Sequence, residues 1–97
     1  MTLPVIFRNE ARAEFDEAVD WYEKHCRLGA EFIARVQQVL DRISANAKIH
    51  QVVYGNLRRA VIPRFPYSVI YREEPGQVLI IAVFHSRRDP SIWQGRT

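Results

Sequence analysis

The chain has 97 residues, a net charge of +3 and a hydrophobic share of 47%. That length favours one domain, residues 1–97, with one modest core. The longest apolar run, residues 78–84, is far shorter than the roughly 20 residues of a membrane-spanning helix. Cys26 is the lone cysteine, which excludes an internal disulfide and a cysteine-based metal cage. The sequence therefore predicts a cytoplasmic protein without a secretory leader.

The charge is divided unevenly between the two halves. Residues 1–50 carry seven Lys/Arg against eight Asp/Glu, whereas residues 51–97 carry seven Arg against three acidic residues. Arginine presents a rigid planar fork that suits phosphates and carboxylates. The second half therefore suits an acidic partner, either nucleic acid or protein, although a solvated basic surface fits the composition equally well.

Hydrophobic periodicity predicts a strand followed by two helices. Residues 3–7 alternate so that one face is strongly apolar, which indicates a short strand. Asn9 is the expected N-cap of the first helix, and Gly29 marks the break before the second. Apolar residues then recur at helical spacing in two stripes, Phe15, Ala18, Val19, Tyr22 and Cys26, and Phe32, Ile33, Val36, Val39, Leu40 and Ile43. Together the stripes predict a helical hairpin.

The rest of the chain changes to a period of two. Strands are predicted at residues 57–62, 67–72 and 77–84, with a turn at residues 74–77. The unbroken apolar run of the last strand indicates a central position covered on both faces. The tail is expected to be irregular, with one helical turn near Pro90. The predicted fold is α+β, in the order β-α-α-β-β-β, with the hairpin packed on a small, mostly antiparallel curved sheet.

A set of short stretches, in this order and spacing, resembles the RelE/ParE toxin superfamily over nearly the whole chain. The stretches are residues 5–7, 13–18, 21–23, 28–32, 58–59, 65–67, 70–71, 81–85 and 87–90, with Trp93. The resemblance implies a toxin of a type II toxin–antitoxin system with the RelE/ParE fold. Members closer to RelE cut messenger RNA on the ribosome without a metal, and members closer to ParE poison DNA gyrase without a known catalytic site. Fold alone does not choose between these targets.

Two positions make the chain more similar to the ParE-like, plasmid-stabilisation branch. The ribonuclease branch usually has an Arg where this sequence has Ser68, and a Tyr or His near its C-terminus where the nearest aromatic here is Trp93. Trp93 cannot serve as an acid or a base. The leading hypothesis is therefore a gyrase inhibitor that is not itself an enzyme, with no catalytic residue favoured.

Two alternatives remain open. One is a ribosome-dependent endoribonuclease, for which His85, Arg59, Arg64 and Arg87 would supply the acid, base and positive charge. The other is an inactive homologue that acts only as a module bound to an antitoxin. A structural role for His85, whose ring would anchor the tail, is also an open reading.

The contact residues are predicted from residue type and position. Arg64, Arg87, Arg88, Trp93 and Arg96 are expected to contact the target, against the competing readings of a solvated basic surface and of Trp93 packing over the sheet. Trp21, Arg58 and Arg59 are expected to contact the antitoxin. Arg59 shares strand parity with Leu57 and is expected to be buried or half-buried, with a salt bridge to the first helix as the alternative to a binding contact, while Arg58 is expected to be exposed.

The resemblance also implies the partners. A cognate antitoxin, similar to ParD or another small DNA-binding protein, is expected to cover the hairpin or the sheet edge and to form a toxin–antitoxin hetero-oligomer. DNA gyrase or the ribosome is the expected target, and no membrane is expected to be involved. No cofactor is expected, and three scattered histidines with one cysteine show no metal-ligand spacing.

Overall fold

The computed structural model describes residues 2–96, and its elements follow the predicted order with two additions. In chain order they are β1 Val5–Phe7, α1 Asn9–Cys26, α2 Gly29–Ala45, β2 Val52–Tyr54, β3 Leu57–Val61, β4 Tyr67–Glu74, β5 Gln77–His85 and α3 Ser91–Gln94. The α+β class and the helical hairpin are confirmed. The additions are the short strand β2 and the single-turn helix α3, which lies where one helical turn was expected.

The two helices pair because each presents an apolar stripe. Tyr22 of α1 and Phe32 of α2 are both buried, and their rings stack with centroids 5.2 Å apart. Arg27 caps the C-terminus of helix α1. It adopts the left-handed conformation (φ 56°) and donates its N–H to the Glu23 carbonyl at 3.2 Å. This left-handed cap reverses the chain within two residues and sets α2 against α1.

Gly29 begins α2 at the closest approach of the two helices. A Cβ at this position would lie 2.8 Å from Glu23 Oε1 and 3.3 Å from the Val19 carbonyl oxygen. The Glu23 side chain can move away, but the backbone carbonyl cannot. The Gly29 N–H also donates to Glu23 Oε1 at 3.2 Å. Glycine is therefore required here for space, and the predicted helix break is the first residue of the second helix.

The predicted N-cap of α1 is wrong by one position. The helix already includes Asn9, and the cap position is Arg8, which has an extended backbone and makes no side-chain cap hydrogen bond. The Arg8 N–H donates to the Ile80 carbonyl at 3.0 Å, so the extended chain of β1 continues to Arg8. Its guanidinium instead bonds Glu10 at 3.2 Å, and this hydrogen bond lowers the pKa of Glu10.

The five strands form one sheet in the order β1-β5-β4-β3-β2. The pair β1–β5 is parallel, with Val5 opposite Val78, and the other three pairs are antiparallel. The mostly antiparallel sheet is confirmed, and so is the central position of β5 between β1 and β4. A register shift between Ile70 and Tyr71 interrupts the β4–β5 ladder.

Both faces of the sheet are covered. The face toward the helices contributes Ala60, Val69, Tyr71, Ile80 and Val83 to the main core. The opposite face carries a second cluster, into which the tail inserts Trp93. This second cluster consists of Leu57, Ile70, Ile81, Ala82, Phe84 and Trp93. The tail is therefore a third layer, which explains how β5 can be apolar without interruption over residues 78–84.

Strand β2 lies at one edge of the sheet, and all three of its residues are exposed. It pairs with β3 through Val52 opposite Arg58 and Tyr54 opposite Leu57. Its three residues show no polar alternation, which is why hydrophobic periodicity did not predict it. Among residues 2–96, no helix combines the length and the apolar character needed to span a membrane.

The predicted environments of Arg58 and Arg59 are interchanged. Arg59 is exposed on the face of β3 away from the helices, and Arg58 is half-buried on the other face. Arg58 Nη1 donates to the carbonyls of Lys48 at 3.5 Å and His50 at 2.7 Å. The prediction assumed that Leu57 is buried against the hairpin, so that Arg59, two residues further along the strand, would face the hairpin as well. Leu57 is instead buried by the tail, on the opposite face of the sheet.

Candidate functional site: an aromatic groove and a basic rim

A groove runs between α1 and the adjoining ends of β4 and β5. Its walls are Trp21, Tyr67 and His85, and we call it the aromatic groove. It holds two neighbouring cavities of about 450 and 180 Å³, and all three side chains line both of them. The larger cavity is mainly apolar and also includes Cys26. The smaller cavity is more polar because Glu17 and Arg88 face it.

Trp21 is the exposed anchor of this groove. Its side chain is 51% exposed although its neighbour Tyr22 is buried, as the helical angle between adjacent residues requires. The indole stacks on the His25 ring at 4.6 Å and meets the edge of the Tyr22 ring at 5.1 Å. The His25 Nδ1 is 2.9 Å from the Trp21 carbonyl oxygen. Trp21 is thus held in place while a large part of it faces solvent.

His85 has a defined hydrogen-bonding state. Its Nδ1 accepts the backbone N–H of Arg87 at 3.0 Å, so in the neutral ring the proton lies on Nε2. The ring meets the Tyr67 ring edge-on at 5.2 Å. Burial raises the pKa of Tyr67, Arg88 opposes the rise, and Glu17 adds to it. Tyr67 is therefore a neutral hydroxyl at physiological pH, able to donate or accept a hydrogen bond.

Three exposed arginines lie at the same end of the sheet as the groove, and we call Arg64, Arg87 and Arg88 the basic rim. Arg64 is in the β3–β4 loop, and Arg87 and Arg88 directly follow β5. Because Tyr67 pairs with His85, these two loops are neighbours. The Ser86 N–H donates to the Pro66 carbonyl at 2.8 Å and joins them directly. Three of the five residues predicted to contact the target are thus brought together.

The conditional ribonuclease set is brought together only in part, because His85, Arg64 and Arg87 lie at one end of the sheet and Arg59 lies apart from them. His85 faces the helices beside Tyr67, whereas Arg59 lies on the opposite face of the sheet. Arg59 Nε donates to Ser68 Oγ at 3.0 Å, and Ser68 is fully buried. Arg59 therefore reaches the position at which the ribonuclease branch usually has its Arg, but from the neighbouring strand and away from His85.

Two of the residues predicted to contact the target are structural. Trp93 is 4% exposed and packs edge-on against Phe84, with centroids 5.8 Å apart. Arg96 forms a two-pronged ion pair with Glu14, at 2.9 and 3.0 Å, and also donates to the Ile81 carbonyl at 3.1 Å. Both side chains attach the tail to the rest of the protein, which is the competing reading for Trp93, and contact of either residue with a target stays a prediction.

The structure also identifies residues that the sequence argument did not select. Tyr67 and Glu17 line the groove, and Glu14 accepts hydrogen bonds from Arg96 and from the Val83 N–H at 3.2 Å. The shared parity of Tyr67 with Val69 and Tyr71 could have placed it on the helix-facing side. No local pattern could have paired Glu14 with Arg96.

Of the residues predicted to contact the antitoxin, only Trp21 belongs to the groove. Arg58 bonds the loop after α2, and Arg59 bonds Ser68 on the far side of the sheet. Within residues 2–96, no group of three or more His, Cys, Asp or Glu side chains is arranged to hold a metal ion.

The fold is shared with a solved toxin–antitoxin structure. The structure described as "Chromosomal ParDE TA system from P. aeruginosa" matches with a TM-score of 0.74 at 15% sequence identity. The match covers 87% of this chain and 96% of that one. At this identity the similarity establishes the fold alone. A search of curated proteins found no match to the sequence.

The family is established by a sequence match. The family model described as "ParE toxin of type II toxin-antitoxin system, parDE" matches residues 5–90. Because this match spans most of the chain, the chain belongs to the ParE toxin family of type II toxin–antitoxin systems. The resemblance to the RelE/ParE superfamily and to its ParE-like branch is thereby confirmed.

Proposed function

We propose that this protein acts in the cytoplasm as a growth-inhibiting toxin that poisons DNA gyrase and is neutralised by a cognate antitoxin. The observation that carries the proposal is the match of residues 5–90 to the ParE toxin family. Arg59 lies on the face of the sheet opposite His85, which leaves the conditional ribonuclease set incomplete and supports gyrase over the ribosome. An RNA-cleaving site requires its acid, base and positive charge to converge on one phosphate.

A supercoiling assay with purified gyrase tests the target. We expect micromolar toxin to inhibit supercoiling and to increase the amount of cleaved DNA trapped on the enzyme. Absence of both effects would contradict the proposal. A translation reaction analysed by primer extension tests the alternative, and cuts within messenger RNA that disappear in His85→Ala would favour a ribonuclease.

The aromatic groove is the proposed site for the antitoxin. Trp21 offers a large, exposed and fixed apolar surface beside a cavity of about 450 Å³, which can accept an apolar side chain from an amphipathic segment. Arg88 at the edge of the smaller cavity can pair with an acidic residue of the same segment. Binding of such a segment would cover the groove and orient the hetero-oligomer.

Co-expression with the product of the neighbouring gene tests this site. We expect tagged toxin to copurify with that product, and Trp21→Ala to weaken binding by about 30-fold or more, the loss typical of a central tryptophan anchor. Ile33→Ala is the matched control, because Ile33 is an exposed apolar residue on α2 (44% exposed) and does not line the groove. Equal losses in the two variants would contradict the proposed site.

A further inference from the structure

The basic rim is held rigidly by the surrounding backbone. Arg64 adopts a left-handed conformation (φ 71°) between Pro63 and Phe65. Phe65 is buried and packs against Tyr22 and Phe32 with ring centroids 4.9 and 5.0 Å away. A non-glycine residue in this conformation is retained only where its surroundings impose it. The loop therefore presents Arg64 in one defined position.

The other half of the rim is fixed in the same way. The N–H of Arg87 donates to His85 Nδ1 and the N–H of Arg88 donates to the His85 carbonyl, both at 3.0 Å. With the Ser86 to Pro66 hydrogen bond, the two loops form one unit. Binding a ligand here would cost little backbone entropy, because the backbone is already ordered.

No ion pair among residues 2–96 involves Arg64, Arg87 or Arg88, whereas Arg12, Arg35, Arg72 and Arg96 each have a carboxylate partner. Three acidic residues lie close to the rim, of which Glu14 lines the same cavity as Arg88 and is paired with Arg96. Asp89 accepts the Ser91 N–H at 2.9 Å, a bond that lowers its pKa, and Glu17 faces the same cavity as Arg88.

We propose that the basic rim binds the phosphate backbone of duplex DNA. Arginine forks bind phosphate oxygens with two parallel hydrogen bonds, and three arginines on adjoining, ordered loops can contact neighbouring phosphates. Single-stranded nucleic acid normally also requires free aromatic faces on which bases stack. None of the three rim residues is aromatic, and Phe65 beside Arg64 is buried. The rim thus provides backbone contacts without a base-reading surface.

This inference goes beyond the proposed gyrase target, because it assigns a direct contact between the toxin and DNA. A protein that acts on an enzyme bound to DNA gains affinity if it also touches the DNA. The contact does not depend on gyrase being the target, and it can be measured with the free toxin.

The test is the fluorescence anisotropy of a labelled, mixed-sequence duplex titrated with toxin at several salt concentrations. We expect non-specific binding with a Kd of roughly 10⁻⁴–10⁻⁶ M, and a fall in log affinity with log salt of about 0.9 per phosphate contact, so about 2–3 for the rim. The combined variant Arg64→Gln, Arg87→Gln, Arg88→Gln should lose at least about tenfold in affinity and nearly all of the salt slope.

Three comparison proteins make the result specific. Arg12→Gln, Arg42→Gln, Lys48→Gln removes the same charge from exposed positions outside the rim and should keep the slope. The combined variant Arg64→Lys, Arg87→Lys, Arg88→Lys should also keep the salt slope, because lysine neutralises the charge of a phosphate as arginine does. Glu17→Gln should bind DNA more tightly. Circular dichroism of each variant establishes that it is folded.

Two results would overturn the proposal. One is equal loss of DNA binding in the rim variant and the variant changed outside the rim, which would make the effect one of net charge. The other is tighter binding of single-stranded RNA than of duplex DNA. Failure of the gyrase assay with DNA binding intact would instead count only against the proposed target.

Discussion

Glu14 and Arg96 form the most enclosed ion pair of the structure's described residues, with side chains 12% and 15% exposed. Arg96 donates two hydrogen bonds to the Glu14 carboxylate, and that carboxylate also accepts the Val83 N–H at 3.2 Å. The pair thereby joins α1, β5 and the tail at one point. Removing one partner would leave a partly buried charge without its counter-charge, which costs more than the loss of an exposed pair.

Arg96→Ala should lower the free energy of unfolding by about 2–4 kcal/mol. Arg12→Ala is the control, since the Arg12–Asp16 pair is more than half exposed (63% and 57%) and should contribute less than about 1 kcal/mol. Urea denaturation of both variants measures the difference. The double variant Glu14→Ala, Arg96→Ala should be no less stable than the sum of the single losses predicts. Similar losses for Arg96→Ala and Arg12→Ala would contradict a structural role for Arg96.

The segment between α2 and β2 is an element organised by hydrogen bonds rather than by helix or strand. Arg58 holds the His50 carbonyl, and the Tyr71 hydroxyl donates to the Ala47 carbonyl at 2.8 Å. The His50 ring lies edge-on to the Tyr71 ring, and its Nε2 is buried with no hydrogen-bond partner among residues 2–96. Burial lowers the pKa of His50, and the charge of Arg42 lowers it further.

Protonation of His50 should lower the free energy of unfolding. Because its folded-state pKa lies below the ordinary 6.5, the unfolded chain binds the proton first as pH falls. The contribution of the neutral His50 ring to the free energy of unfolding is complete above about pH 6.5, and it is lost as pH falls through the folded-state pKa of His50. Unfolding free energies of the wild type and His50→Gln, measured between about pH 7.5 and pH 5.5, should show a smaller pH dependence in the variant. An unchanged pH dependence in His50→Gln would contradict this assignment.

The molecule as a whole has three layers: the hairpin, the sheet and the tail. Trp93 closes the third layer by packing against Phe84 and against Tyr54, whose ring centroid is 6.4 Å away. The edge strand β2 and the central strand β5 are therefore linked through one tail residue. Stability of the sheet depends on residues that follow its last strand.

Trp93→Ala should destabilise the protein by about 3–5 kcal/mol, the usual cost of removing a buried large aromatic side chain. The adjacent Ile92 is 37% exposed, so Ile92→Ala should cost less than about 1 kcal/mol. Thermal denaturation of the two variants gives the comparison. If both melt at the same temperature, the tail does not contribute to the core.

Features of this structure that depend on neighbouring residues in the sequence were predictable, and features that depend on contacts between distant residues were not. The stripes of α1 and α2 and the run of β5 are local patterns, and they gave the elements correctly. β2 was missed because its stability comes from pairing with β3 and not from its own sequence. For the candidate site, the sequence singled out Trp21 and the rim arginines by residue type and position. It could not find the partners of Arg96 and Trp93, because these depend on how the tail folds back over the sheet.

The same fold-back has a consequence for synthesis in the cell. When His85 leaves the ribosome, every strand has been made, yet Leu57, Ile70 and Phe84 still lack their cover and Glu14 lacks its counter-charge. The emerging chain therefore presents an open apolar sheet until Trp93 and Arg96 fold back over it, and in that interval the uncovered face is prone to aggregation.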